Sequence, residues 1–210
     1  MRAPLLAVLG LLCLDAARAA DDPAGTRVPV APSADPTQVR PGAYVLDPDH
    51  GKITWSVSHL GYSTYYGQLT GLTGTLVLDP KAPEKSRLDV SVPLGGVITG
   101  SARLNEHLAA PDFFDTAKFP NATFTATAVE PTSPTTARIT GDLNLRGAVR
   151  PLAIDATFNQ AGIHPVDQRY TVGFDGRAVI KRSEFGINAY LPHLGDEVTL
   201  RIEGEFKAAP

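Results

Sequence analysis

Residues 121–128 read Asn121-Ala122-Thr123-Phe124-Thr125-Ala126-Thr127-Ala128, with Ala122, Phe124, Ala126 and Ala128 on one side and three threonines on the other. Successive side chains of a strand point to opposite faces, so this run predicts a β-strand with one apolar and one polar face. Three alanines on the inward face leave unfilled volume where a packed core would use Leu or Ile.

The same period recurs on both sides. Upstream, Ile53, Trp55 and Val57 alternate with Thr54, Ser56 and Ser58, Tyr65 to Leu78 forms a long run interrupted by Gly67, Gly71 and Gly74, and Leu88, Val90, Val92 and Leu94 make a third alternation. Downstream come Ile139, Leu143 and Leu145; then Leu152, Ile154, Ala156 and Phe158; then Tyr170, Val172 and Phe174 leading to Ala178 and Ile180; and finally Val198, Leu200, Ile202 and Phe206. Turn residues separate the runs. About eight strands with internal glycines and one-sided apolar faces predict an all-β fold, a sandwich or an antiparallel barrel, with the eight-stranded barrel favoured.

One stretch breaks the pattern. Residues 101–120 hold a short amphipathic helix (Leu104, Leu108) and a Pro-bounded aromatic segment (Phe113, Phe114, Phe119), which together predict a lid over the barrel. The ends of the chain read differently again. Arg2, the apolar run Pro4 to Leu14 and Ala17-Arg18-Ala19 predict a secretory signal peptide over residues 1–19. Residues 20–42 are rich in Pro, Ala and Asp and predict a disordered linker, which leaves residues 43–208 as the domain. The sole cysteine, Cys13, lies within the signal segment, so the exported chain relies on its core without disulfides.

Charge narrows the partners. Beyond residue 19 the chain has 17 basic and 21 acidic residues, a net of −4, which argues against nucleic acid. Five histidines form no HxxxH, HxH or Cys-His pattern, so no metal is expected, and no nucleophile-elbow, P-loop or dinucleotide motif is present.

The inward face nominates a site. Trp55, Val57, Leu76, Phe113, Phe114, Phe119, Phe124, Ile154, Phe174 and Ile180 are candidates for the wall of an apolar cavity. His59 ends the inward phase of its strand and reads either as a strand-end hydrogen-bonding residue or as a contact for a ligand's polar end. Arg182 ends the inward phase of another strand, where pairing with Glu106 or Asp112 competes with reception of a head group. A catalytic alternative makes His59 the general base for a small hydrophobic substrate, although inward polar groups fall only near strand ends.

Several motifs in order resemble a known family. They are Asp49-His50, Ile53-x-Trp55-x-Val57-x-His59, Leu104-x-x-His107-Leu108, Asp112-Phe113-Phe114-Asp115, Phe119-Pro120, Gly141-x-Leu143-x-Leu145-Arg146-Gly147, Arg182-Ser183-Glu184-Phe185-Gly186 and Gly195-Asp196-Glu197-Val198. Together they resemble the YceI-like family across roughly residues 43–206, departing from its usual pattern at Gly51 and Asn105. The resemblance implies a lipocalin-like eight-stranded barrel in the bacterial periplasm that is not an enzyme. It implies a polyisoprenoid or quinone-like lipid as bound ligand, with no other cofactor. A membrane-protein donor or acceptor and a homodimer are compatible partners.

Overall fold

Alternation becomes eleven strand segments in the computed structural model, which describes residues 32–209. The predicted signal peptide and residues 20–31 of the predicted linker lie outside the described residues. The segments are β1 (Gly42–Leu46), β2 (Lys52–His59), β3 (Ser63–Thr70), β4 (Thr73–Leu78), β5 (Arg87–Pro93), β6 (Val97–Ile98), β7 (Asn121–Pro131), β8 (Thr136–Leu145), β9 (Ala148–Ile163), β10 (Tyr170–Lys181) and β11 (Leu194–Ala208).

All the pairings are antiparallel, and β1, β4, β5, β7, β8, β9, β10 and β11 close into an eight-membered ring through the β1–β11 pair. β11 is long enough to pair with β1 near its end (Leu46 opposite Phe206) and with β2 along its first part (Trp55 opposite Leu200). β1 and β2 are thus two halves of one stave, broken at residues 47–51. β3 with β4, and β5 with β6, form two more broken staves, since β3 pairs with β2 and β6 while β4 pairs with β1 and β5. The break between β3 and β4 is made by Gly71, at φ +74°, a conformation that costs glycine nothing. The eight-stranded barrel expected from the sequence is therefore the observed fold.

Two ends of the barrel differ. The lower end carries the β4–β5, β7–β8 and β9–β10 connections. The upper end carries the β2–β3 hairpin and helix α1 (Ala102–Ala109), whose start is capped by Ser101 accepting from the Leu104 N–H at 3.3 Å. The predicted lid is present, and it covers this upper end.

Part of the predicted linker belongs to the domain. Ser33 exchanges two backbone hydrogen bonds with Ala161, Pro32 packs on Gly162, and Val39 is only 6% exposed. Arg40 lies over the Tyr170 ring, 4.4 Å from its centroid. Composition alone gave residues 32–42 too few apolar groups to order, but the barrel supplies the missing partners: a strand edge, a glycine surface and an aromatic ring.

Candidate functional site: two chambers in one barrel

The barrel interior is divided. A lower chamber of about 450 Å³ is lined by inward residues of most staves, among them Leu76, Leu88, Val90, Phe124, Leu143, Ile154, Phe158, Phe174, Ile202 and Phe206. Its lining is overwhelmingly carbon; Thr37, Ser86, Arg87, Ser133, Thr135 and Thr136, with Pro36, Pro80, Pro83, Pro131 and Pro134, form a polar mouth, and Thr123, Asp175 and Glu203 are the other polar residues that border it. An upper chamber of about 330 Å³ is lined by Trp55, Val57, His59, Leu60, Tyr65, Leu104, His107, Phe113, Tyr190 and Leu194.

The chambers meet at Trp55. Ile53 lines the lower one and Trp55, two residues on, lines the upper, while Leu200, the cross-strand partner of Trp55, lines the lower. Trp55 fits because its cross-strand neighbour is Gly67, where a Cβ would fall 2.1 Å from Trp55 Cζ2. The indole also stacks on Tyr65, with centroids 6.2 Å apart.

The lower chamber is vacant for a readable reason. Ala137, Ala156 and Gly176 lie side by side across β8, β9 and β10 and all line it, forming a shallow recess in the wall. Of the three alanines first nominated on β7, only Ala122 lines the chamber. The register shifts between Ala126 and Ala128, so Thr127 is an extra residue and the phase inverts beyond it. Val129 and Pro131 then face the chamber in place of Ala128.

The nominated wall residues divide among these places. Leu76, Phe124, Ile154 and Phe174 line the lower chamber, and Trp55, Val57, His59 and Phe113 line the upper one. Phe114, Phe119 and Ile180 line neither. Phe119 packs on Gly147 in the β8–β9 turn, while Phe114 and Ile180 are partly buried against the core. Leu88, Val90 and Val92 went unnominated although their alternation is plain in the sequence. Leu60 and Tyr190 come from connections and carry no periodic signal.

Arg182 departs from expectation. It is only 5% exposed, and its guanidinium donates to the Gly195, Ile187 and Leu194 carbonyls at 2.8–2.9 Å, pairing with neither Glu106 nor Asp112. Burial lowers its pKa, and the nearby Asp196 opposes that shift. A fork of fixed donors suits three carbonyls held around it, so Arg182 clamps the β10–β11 connection and lines neither chamber. His59, in contrast, is exposed at the upper rim beside Tyr65, whose hydroxyl donates to the Thr99 carbonyl at 3.0 Å.

One further polar cluster flanks the barrel. Asp47, His50 and Glu205 place ligand-type atoms within 4.8 Å of one another, but the Lys207 ammonium lies 2.7 Å from Asp47 Oδ2 and supplies the cation there. Burial alone would raise the Asp47 carboxyl, yet hydrogen bonds from Lys207, His50 and the Asp49 N–H hold it well below the usual carboxylate range. His50 is shifted upward in turn by its hydrogen bond to Asp47.

A closed eight-stranded antiparallel barrel around an apolar chamber defines this molecule as a small β-barrel with interior room for a ligand. The YceI-like domain model matches residues 44–206, and the chain belongs to that family. A UPF0312 protein of Pseudomonas savastanoi pv. phaseolicola is 38% identical over 146 residues, covering 69% of this chain and 76% of that protein. Another, from Azotobacter vinelandii, is 36% identical over 164 residues, covering 77% and 85%. The crystal structure of a Campylobacter jejuni YceI protein superposes with a TM-score of 0.65 at 28% identity, covering 72% of this chain and 90% of that one. A polyisoprenoid-binding domain from Saccharophagus degradans shares the fold, with a TM-score of 0.63 at 13% identity, covering 81% and 100%.

Proposed function

We propose that this chain is an exported carrier that holds a polyisoprenoid or quinone-like lipid in the lower chamber, one molecule per barrel. The observation that carries the reading is the carbon-lined chamber of about 450 Å³ with a cluster of polar residues at one mouth. Its volume lies in the range of small-molecule pockets, about 300–1,000 Å³. Burial contributes about 0.8 kcal/mol per methylene, so a prenyl chain needs few polar contacts. Family membership and the fold shared with the Saccharophagus polyisoprenoid-binding domain support the same ligand class.

The lipid's polar end then rests at the lower mouth, among Thr37, Arg87, Ser133 and Thr136, and away from His59 and Arg182. Residues 1–19 direct the chain to the periplasm, where a membrane protein donates or accepts the lipid. The role is binding, and His59, the general base of the catalytic alternative, opens on the upper chamber and away from the lipid.

The test is expression of the full chain in a Gram-negative host, native mass spectrometry of the periplasmic protein, and mass analysis of its organic extract. A processed chain carrying about one prenyl species supports the proposal. An empty protein that takes up no added prenyl lipid refutes the ligand, and retention of residues 1–19 in the cytoplasm refutes the export.

A further inference from the structure

The upper chamber differs from the lower in chemistry as well as position. Where the lower wall is aliphatic and phenylalanine-rich, the upper wall presents six rings: Trp55, His59, Tyr65, His107, Phe113 and Tyr190. Trp55 stacks on Tyr65 at 29°, and Phe113 lies tilted against Tyr190 at 30°. His107 stands at 87° to both Phe113 and Tyr190, with centroids 5.0 and 6.1 Å away. A planar ring finds offset-stacked and edge-on partners here, whereas a saturated chain gains only burial.

Polar capacity is confined to the rim, since the chamber's wall is almost wholly carbon. His107 Nε2 lies 3.1 Å from Asp112 Oδ2, so that nitrogen is already engaged. The exposed His59 ring offers either a donor or an acceptor. Leu60 and Tyr190, which are 47% and 58% exposed, form the solvent-facing rim. Both lie in connections: Leu60 and Gly61 turn the β2–β3 hairpin with successive φ of 55° and 74°, and Tyr190 has φ 60°.

We infer that the upper chamber is a separate binding site for a small planar aromatic bearing a hydroxyl or keto oxygen, with the ring among Trp55, Tyr65, Phe113 and Tyr190 and the oxygen at His59. It opens beside the β2–β3 hairpin, at the opposite end from the lower mouth, and Trp55 forms the partition. A volume of about 330 Å³ suits one or two fused rings.

Calorimetry on the mature chain tests this with 2-naphthol as a ring without a chain, farnesol as a chain without a ring, and naphthalene as a ring without oxygen. One 2-naphthol binds per chain, with the same affinity when farnesol is already saturating. Leu104→Trp fills the upper chamber, weakens 2-naphthol at least ten-fold and leaves farnesol unchanged. His59→Phe keeps the ring but removes the hydrogen bond, weakening 2-naphthol about ten-fold and naphthalene not at all. Because His59 is exposed, that variant keeps the test decisive if Leu104→Trp misfolds. The inference is overturned if 2-naphthol does not bind, if farnesol displaces it one for one, or if both folded variants bind it as tightly as the wild type. Failure of farnesol alone, with 2-naphthol still bound, counts against the lipid proposal and leaves this site standing.

Discussion

Ala156→Leu separates a vacant binding chamber from a packed core, because the two readings give opposite signs. Ala156 lines the lower chamber between Ala137 and Gly176, its partners on β8 and β10, so a larger side chain grows into the recess. Leucine adds three carbons and displaces about three ligand carbons, which at about 0.8 kcal/mol each removes about 2.4 kcal/mol of binding. At about 1.4 kcal/mol per decade, the Kd for a prenyl alcohol rises about 50-fold. The same carbons bury themselves in the ligand-free protein, so stability holds or rises by up to about 2 kcal/mol, less any strain. Titration with a labelled prenyl lipid reads the first quantity and urea unfolding the second. Unchanged affinity in a folded variant refutes the chamber as the lipid site, and a loss of more than about 2 kcal/mol of stability refutes its vacancy.

Three further outcomes follow from particular contacts. Gly67→Ala drives a Cβ into the Trp55 ring and destabilises the barrel by about 1–3 kcal/mol, with a shift in the emission of the only tryptophan; an unmoved urea midpoint and spectrum refute the close approach. Arg182→Lys loses at least two buried hydrogen bonds from a charged donor and costs about 3 kcal/mol or more, while lipid affinity of the folded protein stays the same. Loss of affinity without loss of stability returns Arg182 to a head-group role. The Asp47 cluster predicts two limbs in the stability–pH profile. Asp47 and Asp167, which share the Lys207 ammonium, are depressed in the fold, so their contribution is present above the ordinary carboxylate value of 3.8 and is lost as pH falls through their folded values. His50 is raised, so its contribution is full below its ordinary value of 6.5 and is lost as pH rises through the folded one. Asp47→Asn flattens the alkaline limb and removes the part of the acid limb due to Asp47, and thermal melts across pH that match the wild type refute the coupling.

Local alternation determined most of the architecture. Side chains on a strand point alternately whatever the strand pairs with, so the runs around Trp55, Val90, Phe124, Ile154 and Phe174 announce both their strands and their inward faces. The break at residues 101–120 announced the covered end, and Leu104 with Leu108 announced its helix, whereas the Ser101 cap is seen only in the structure.

Tertiary structure decided the rest, because it depends on pairings between distant segments. Nothing local states that β1 and β2 share β11 as one broken stave, or that Thr127 bulges and turns Val129 inward. Arg182 keeps the inward phase of its strand in sequence, yet three carbonyls from residues 187–195 capture it in the fold. Residues 32–40 order only because Ala161, Gly162 and Tyr170 await them. The division into two chambers is likewise non-local. Trp55 partitions the barrel because Gly67 across the strand makes room for its ring, and that fit exists only once β2 and β3 have paired.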